Sequence, residues 1–550
     1  MQENNSFLSI LPLGGLGEIG LNAQLWTTPK ALIMVDCGMM FPEEEHLGID
    51  VIIPTFEHIL ANQDRFAGLI LTHGHEDHIG AIPYLISKIK TSIYGSKYTL
   101  GLVEAKLSER NLLSRARLIP ISEKTKLSIG DIKFRFFPMT HSIIGCYALA
   151  AETPVGKVLH TGDFKIDKGT EDTVLAPIRE FAGDEGIQLL LSDSTNIEAE
   201  GHSSSEEDIS KPLQDLFETT KGRIIVTLFS SHVERIQKIL DFAEIYGRTV
   251  VVCGRSLHNN IQISSQLGYL TLPSKIIMDP NEIPNLPDEE LVILATGSQG
   301  ETFSALSRMI MGSHRQFAIH KGDTVIMSSR FIPGNLRAIT RLIDELYKRG
   351  ASVFHGGSHK IHVSGHGYKE ELRAMLLAAK PKYFMPIHGE YRHLCMHAEL
   401  GKECGVHPNN TIVIENGTPL ILYQDGFELG EKVNVEPVLV DGKGVGDIGP
   451  IVLKERKILG EEGVVIINIV LNSHTWDIIG GPYIITRGFV FEQSYRNMLN
   501  DSKNIVYEEL DELEKYDREL FKDKLRSGYR RFFKAILQRD PIIIPILNFV

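Results

Sequence analysis

The sequence predicts an α/β protein of several domains, and three observations carry that reading. Short β-rich apolar runs recur and end in small or polar residues: "ALIMVDCG", "GLILTHGH", "KVLHTGDF", "LLLSDSTN", "IIVTLFSS", "TVVVCGRS", "VILATGSQG", "TVIMSSRF" and "YFMPIHGE". Helical stretches such as "HVERIQKILDFAEIYG" and "NLRAITRLIDELYKRG" lie between several of them, so strand, polar tip and helix alternate. At 550 residues the chain is also too long for one ordinary core, which sets the expectation at about two to four domains. Ligands of such folds bind at the carboxyl ends of the strands, so the polar tips are where chemistry is sought.

Composition narrows the class. Hydrophobic residues make up 43% and charged residues 23%, the balance of a globular protein in water. A net charge of −13 argues against a broad nonspecific nucleic-acid surface, but leaves room for a local basic groove or a metal site that supplies its own positive charge. The five cysteines form no C-x-x-C pair and read as buried thiols in a reducing compartment. No apolar run approaches a membrane span, and the N-terminus lacks a basic flank followed by an apolar stretch, so the expectation is a cytoplasmic protein without membrane association.

Taken in order, the first element is a strand closing on "LGGLGEIG". Gly15, Gly17 and Gly20 match G-x-G-x-x-G, and Asp36 follows at the spacing of a ribose-binding acid. A dinucleotide site needs a helix that starts at those glycines and faces the pyrophosphate. Here "LNAQLWTT" reads as extended chain leading to another strand. No NAD or FAD site is therefore expected.

The strand ending at Leu71 opens into "THGHEDHIGAIPYLISKI", which places His73, His75, Asp77 and His78 within six residues. Two histidines one residue apart can point the same way from an extended loop, while Asp77 and His78 at the start of a helix can turn toward a second ion. Imidazole with carboxylate suits zinc or manganese. His141, Asp163 in "TGDF" and His388 in "PIHGEY" each follow a strand, and the two oxygens of Asp163 suit a bridge between ions. The glycines of the opening turn are expected to let it pack beneath these loops, with Glu18 and Asn22 in support and Asp36 orienting a ligand from behind.

The pattern H-x-H-x-D-H with a later His, a "TGD" Asp and a distant His resembles the metallo-β-lactamase fold, two β-sheets packed between helices. "PLGGLGEIGLN", "SDSTN", "TGSQGE", "SGHG" and "PIHGEYRHL" are together similar to the ribonuclease J family, in the β-CASP branch of that fold, and the likeness spans essentially the whole chain. The resemblance implies an αββα sandwich interrupted by an inserted α/β β-CASP domain and followed by a small α/β C-terminal domain. It places the sandwich at residues 1–205 and 362–447, the insertion at 206–361 and the C-terminal domain at 448–550.

It also implies an activity: a metal-dependent ribonuclease with 5′→3′ exonuclease action on monophosphorylated RNA and endonuclease action, serving RNA maturation and mRNA decay. Two divalent ions would generate a hydroxide and hold phosphate oxygens. His73, His75 and His141 are assigned to one ion, Asp77, His78 and His388 to the other, and Asp163 to both. His366 resembles the family's proposed general acid and Asp193 the carboxylate that orients it; hydrogen bonding of His366 to substrate phosphate is the other reading of that ring.

Phosphate recognition is expected from Ser230, Ser231 and His232 in "LFSSH" and from His362, Val363, Ser364, Gly365 and His366, with Arg330 and Asn335 reaching the backbone. The chain departs from the family pattern beside those two, at Phe331 and Leu336; Phe331 is expected to pack rather than to stack on a base. Gly48, Asp50 and Asp441 match positions where some relatives hold a structural calcium, and an ordinary turn fits them equally well. A homodimer or homotetramer through the C-terminal domain and contacts with other RNA-decay factors are further implications.

Three other functions fit parts of the sequence. A small-molecule hydrolase of the same superfamily would not need the long insertion, a DNA-directed β-CASP nuclease would share every metal motif, and a noncatalytic RNA-binding scaffold would not need the intact ligand set. Residues 281–290 read as a loop at mid-chain; toward the C-terminus, residues 439–450 are dense in glycine and read as a linker, and a charged helix is expected over 506–537.

Overall fold

In the computed structural model, described over residues 6–43, 45–279, 281, 286–301, 303–331, 335–357, 359–513 and 515–550, two β-sheets face each other across a shared core. The first has eight strands, in the order Phe427–Leu429, Leu420–Leu422, Leu8–Gly14, Ala23–Thr27, Leu32–Val35, Phe66–Ile70, Thr91–Gly95 and Ala116–Pro120. The second has six, in the order Pro381–Ile387, Ile187–Asp193, Gly156–His160, Cys146–Thr153, Ile132–Met139 and Leu127–Ile129. Trp26, Ile33 and Val35 meet Phe134, Phe136, Leu189 and Met385 between them. The strand Ile187–Asp193 reads "IQLLLSD" because both its faces are covered: Leu189 and Leu191 enter the core between the sheets, while helix Lys369–Ala379 packs against it.

The chain leaves the second sheet after Asp193 and rejoins it in parallel at Pro381–Ile387, with Asp193 opposite Ile387. Inserted between is a six-stranded parallel sheet ordered Ile276–Ile277, Thr249–Cys253, Leu291–Ala295, Ile224–Thr227, Thr324–Met327 and Ser352–His355. Its central strands are buried throughout and apolar except for Thr227 and Thr324 at their ends, and the intervening helices bury their own apolar stripes (Ile339, Leu342 and Leu346, for example). Of the loop expected over 281–290, residues 282–285 lie outside the described residues. Phe331 packs against the core of this inserted sheet, its ring stacked on His355 with centroids 5.5 Å apart.

Contacts divide the chain into two compact units, residues 1–41 with 51–438 and residues 42–50 with 439–550. In the second unit Val464–Leu471 pairs antiparallel with Ile478–Arg487 and parallel with Ile542–Phe549. One face of that sheet packs on Phe521, Leu525, Tyr529 and Phe533, while Tyr483, Ile485, Ile544 and Ile546 are exposed. The charged helix expected over 506–537 is two helices, Asn504–Asp511 and Arg518–Leu537. Asp517 starts the second by accepting from the N–H groups of Glu519 and Leu520. The glycine-dense stretch expected as a linker contains paired strands, Val438–Asp441 and Gly444–Val445. No helix among the described residues is long and apolar enough to cross a membrane.

Candidate metal centre

The strands that carry the expected ligands end on one side of the sandwich. Leu32–Val35 ends at Asp36, whose backbone enters the left-handed region at φ 57°. Asp36 accepts from Thr72 twice, from N–H and from the hydroxyl, both at 2.8 Å, and its Oδ2 lies 2.8 Å from His78 Nδ1. His78 therefore donates from Nδ1 to the carboxylate and turns Nε2 toward Asp163 Oδ2, 3.3 Å away.

The opening glycine turn supports this loop with backbone rather than with a helix. Gly15, at φ 88°, accepts at its carbonyl from His388 N–H, and Asn22 N–H donates to the Asp77 carbonyl at 3.0 Å. Asn22 Nδ2 also lies 3.0 Å from His78 Nε2. Glu18 accepts from Gly15 N–H and from the Asn416 amide. At Gly38 a Cβ would sit 1.6 Å from the Asp77 carbonyl oxygen, so only glycine lets the two segments touch.

Three groups of donors result among the described residues and all share Asp163; one joins it to Asp193, His366 and His388, and the other two hold the expected ligands. In one of those two, atoms of His73, His75, His141 and Asp163 all lie within 4.8 Å of one another; in the other, those of Asp77, His78, Asp163 and His388 do. Asp163 Oδ2 is 3.6 Å from His73 Nε2 and 3.7 Å from His141 Nε2, and its Oδ1 is 3.1 Å from His388 Nδ1. His141 donates from Nδ1 to the Gly365 carbonyl at 2.6 Å, which frees Nε2 to face the group.

Burial, the largest influence, pushes the His73 and His141 rings well below the ordinary imidazole value and brings His75 down to about 4, so all three offer neutral nitrogens with lone pairs. At His78 and His388 burial acts the same way but is overcome, by Asp163, Asp36 and Asp77 at His78 and by Asp163, Asp193 and Asp77 at His388. Both rings are raised well above the ordinary value. Asp163 is held well below the carboxylate range because His388, His78 and His73 outweigh its burial. Buried carboxylates balanced by protons on two rings are a charge arrangement that divalent cations would take over, and the nitrogen and oxygen donor set fits a borderline ion such as zinc or manganese.

At the edge of both groups stands His366, 20% exposed at its side chain, with Nδ1 2.8 Å from Asp193 Oδ2 and Nε2 4.0 Å from Asp163 Oδ2. Asp193 is buried, which opposes ionisation, yet His366 and His388 hold its carboxyl well below the usual range. Of the residues expected to meet phosphate, Ser364 accepts at Oγ from Asn196 Nδ2 at 2.7 Å and from His366 N–H at 3.1 Å, and Arg330 donates to Asn196 Oδ1 at 2.6 Å. Gly365 is an anchor: a Cβ there would come within 2.8 Å of the His141 ring. Val363 is buried, and Asn335 precedes helix Leu336–Lys348 without a side-chain capping bond. Ser230 and Ser231 are half-buried at the turn before helix Val233–Ile245, while His232 is buried with Nε2 3.1 Å from Glu206.

In the second unit Asp50 accepts from Gly442 N–H at 2.7 Å, Asp441 pairs with Arg456 at 2.6 Å, and Gly48 packs against the same guanidinium. Protein groups thus engage both carboxylates expected for calcium.

Sequence reasoning did not single out the residues that hold these parts together. Thr195 donates from N–H and hydroxyl to Asp193 Oδ1, and its hydroxyl lies 3.1 Å from His388 Nδ1. Glu371, 1% exposed, gathers four donors from three segments, Ile166, Ser203 and Tyr368. Neither residue type announces such a role, although "SDSTN" carries Thr195 two positions after its acid, the spacing of an Asx-type turn.

Family models match four parts of the chain. One described as "Metallo-beta-lactamase superfamily" covers residues 22–196, "Ribonuclease J, beta-CASP domain" 221–346, "Zn-dependent metallo-hydrolase RNA specificity domain" 356–412, and "Ribonuclease J C-terminal domain" 451–549. Among curated relatives, Ribonuclease J 1 of Streptococcus pyogenes is 38% identical over 545 residues, 98% of this chain and 97% of its own length. Ribonuclease J2 of Bacillus subtilis is 34% identical over 551 residues, 99% of each chain. Among solved structures, a protein of unknown function from Enterococcus faecalis aligns at a TM-score of 0.52 and 17% identity, covering 76% of this chain and all of that one, a likeness of fold.

Proposed function

The chain belongs to the ribonuclease J family, and on that premise we propose that it hydrolyses RNA phosphodiesters with two divalent ions, both 5′→3′ from monophosphorylated ends and at internal sites, in RNA maturation and mRNA decay. The observation that carries the reading is the pair of donor groups sharing Asp163, with His366 and Asp193 at their edge. His73, His75 and His141 would hold one ion and Asp77, His78 and His388 the other. Such ions supply Lewis acidity toward phosphate oxygens and activation of water.

The chain's own groups do the rest. Asp36 fixes the ring of His78, and the Gly365 carbonyl fixes that of His141, so each ligand nitrogen is aimed before an ion arrives. His366 donates from Nδ1 to Asp193, which leaves Nε2 to carry the proton that the departing 3′ oxygen needs; the Asp193 carboxylate stabilises the charge on the ring. Ser230, Ser231, Ser364 and the Arg330 guanidinium offer donors to the RNA backbone. The exposed apolar face of the C-terminal sheet supports assembly as a homodimer or homotetramer through that unit.

The test is digestion of end-labelled RNA bearing a 5′-monophosphate, triphosphate or hydroxyl, with zinc or manganese and metal content measured on the same sample. Fastest loss of the monophosphorylated RNA, abolished in Asp77→Ala, is the expected result. Equal activity in that variant, or activity restricted to DNA, overturns the reading.

A further inference from the structure

Arg235 is a fully buried guanidinium on the first turn of helix Val233–Ile245. Glu206 takes it from one side, Oε2 accepting from Nε at 3.2 Å and Oε1 from Nη2 at 2.5 Å. Nη1 faces the Ser328 carbonyl at 2.9 Å, the Ser328 hydroxyl at 3.3 Å and His362 Nδ1 at 3.1 Å. Ser328 in turn donates its hydroxyl to the Ile361 carbonyl, pinning the residue before His362.

A guanidinium has no lone pair to offer and stays protonated, so its contact with Nδ1 requires that nitrogen to be the acceptor. The neutral ring then carries its single proton on Nε2. That nitrogen is buried and has no hydrogen-bond partner among the described residues. A buried donor left unpaired is costly, and a ligand acceptor removes the cost. Two residues on, Ser364 Oγ already accepts from two N–H groups, so its own proton is free to be donated elsewhere. Arg330, tied to the same Asn196, adds a cation.

We propose that Arg235, held by Glu206, is a positioning residue that locks His362 in its Nε2–H tautomer, so that this ring meets the substrate phosphate as an uncharged hydrogen-bond donor. The inference rests on the reading of residues 362–366 as the phosphate-facing loop. The charged and titratable groups facing the ring are Arg235, His232, Glu206 and Arg330. Burial, then Arg235, His232 and Arg330 against Glu206 alone, brings the ring from its ordinary 6.5 down to about 2. A donor held this way keeps its proton and its neutrality through about pH 5–8, where an ordinary histidine gains charge.

The experiment uses the zinc-treated full chain with ring-15N-labelled histidine, His362 being assigned by its loss in His362→Gln. The expected spectrum has Nε2 protonated, Nδ1 bare, and no titration between about pH 5 and 8. In Arg235→Gln combined with Glu206→Gln, which removes both charges together, the Nδ1–H form appears or titration enters that window. With 5′-monophosphorylated RNA, His362→Asn and the double variant raise KM about 10- to 100-fold with kcat largely kept. His362→Gln, whose amide N–H stands where Nε2–H stood, stays within a few-fold of the parent. A parent ring protonated at Nδ1, or titrating near the ordinary value, overturns the tautomer lock whatever the substrate. An intact Nε2–H signature with KM unchanged in His362→Asn overturns the phosphate contact, and with it the reading of this loop. If the double variant does not fold, the parent spectrum and the two His362 variants decide.

Discussion

Replacing Glu371 with glutamine keeps the shape of a buried side chain and halves its capacity to accept. Oε1 takes the Ile166 N–H at 2.9 Å and the Ser203 hydroxyl at 2.8 Å; Oε2 takes the N–H groups of Ser203 and Tyr368, each at 2.7 Å. The less costly orientation of the new amide points its –NH2 at the first pair, since the Ser203 hydroxyl can rotate and accept. Ile166 N–H is then left without an acceptor, and the other two N–H groups bond a neutral oxygen in place of a carboxylate. One buried orphan donor costs about 1–3 kcal/mol, and weakening two charge-assisted bonds adds about 1–2 more, so the loss is about 2–5 kcal/mol. The three segments follow Asp163, enter the insertion and follow His366, so the damage is expected to reach the distance between His366 and the candidate metal ligands. Urea unfolding is expected to read that loss, and kcat on monophosphorylated RNA to fall about tenfold or more with bound metal unchanged. Ser203→Ala, which removes only the hydroxyl bond, costs about 1 kcal/mol. Stability within about 0.5 kcal/mol of the parent in Glu371→Gln, or an unaltered kcat, refutes the reasoning.

Asp163→Asn removes the residue common to both donor groups, whereas Asp36→Asn leaves every donor in place and disturbs the orientation of His78 together with the Thr72 hydrogen bonds. The second is expected to weaken metal binding about 10- to 100-fold and the first by more, read as ions per chain by elemental analysis; retention of both ions in Asp163→Asn sinks the shared-ligand geometry. His366→Gln is expected to lower kcat about 10²- to 10⁴-fold with metal content unchanged, and a drop below about tenfold removes this ring from the proton-transfer role. His397 is fully buried against Phe384, with Nδ1 3.0 Å from Ser194 Oγ, and burial, opposed only by Asp193, brings it from 6.5 down to about 3. Because the folded value is lowered, the unfolded chain alone takes up this proton as pH falls below 6.5, and stability declines there by about 1.4 kcal/mol per pH unit. Urea unfolding at about pH 7 and pH 5 should show a decline about 2 kcal/mol smaller in His397→Gln, and equal declines contradict the assignment.

What the sequence discloses of this site follows the physics of each residue type. Five histidines and two aspartates at strand ends and on the short helix Glu76–Ile79 stand out because few structural roles place such donors there, and the fold brings them within reach of one another. The opening glycines match a cofactor fingerprint in letters, but the fingerprint's chemistry lies in the helix after them. In the fold a short strand, Leu16–Gly17, runs among the glycines and pairs with Gly389–Glu390 beside His388, and the strand Ala23–Thr27 follows where a helix would be needed. The helix break at Asp517 was open to reading, since Asp is a good N-cap, yet the charged pattern continues across it. Glu371 and Arg235 are different. A glutamate in "KEELRAM" and an arginine in "HVERIQ" have the composition of solvated helix faces, and only tertiary structure reveals their burial. Their partners lie far off in the chain: Ser203 is 168 positions from Glu371, and His362 is 127 from Arg235. Ligand identity is a local property of residue type and spacing, whereas ligand orientation is set by contacts distant in sequence, from Asp36 to His78 over 42 positions and from Gly365 to His141 over 224. The substitutions expected to tune this site are therefore those that leave the motifs intact while altering tautomer, reach and rate.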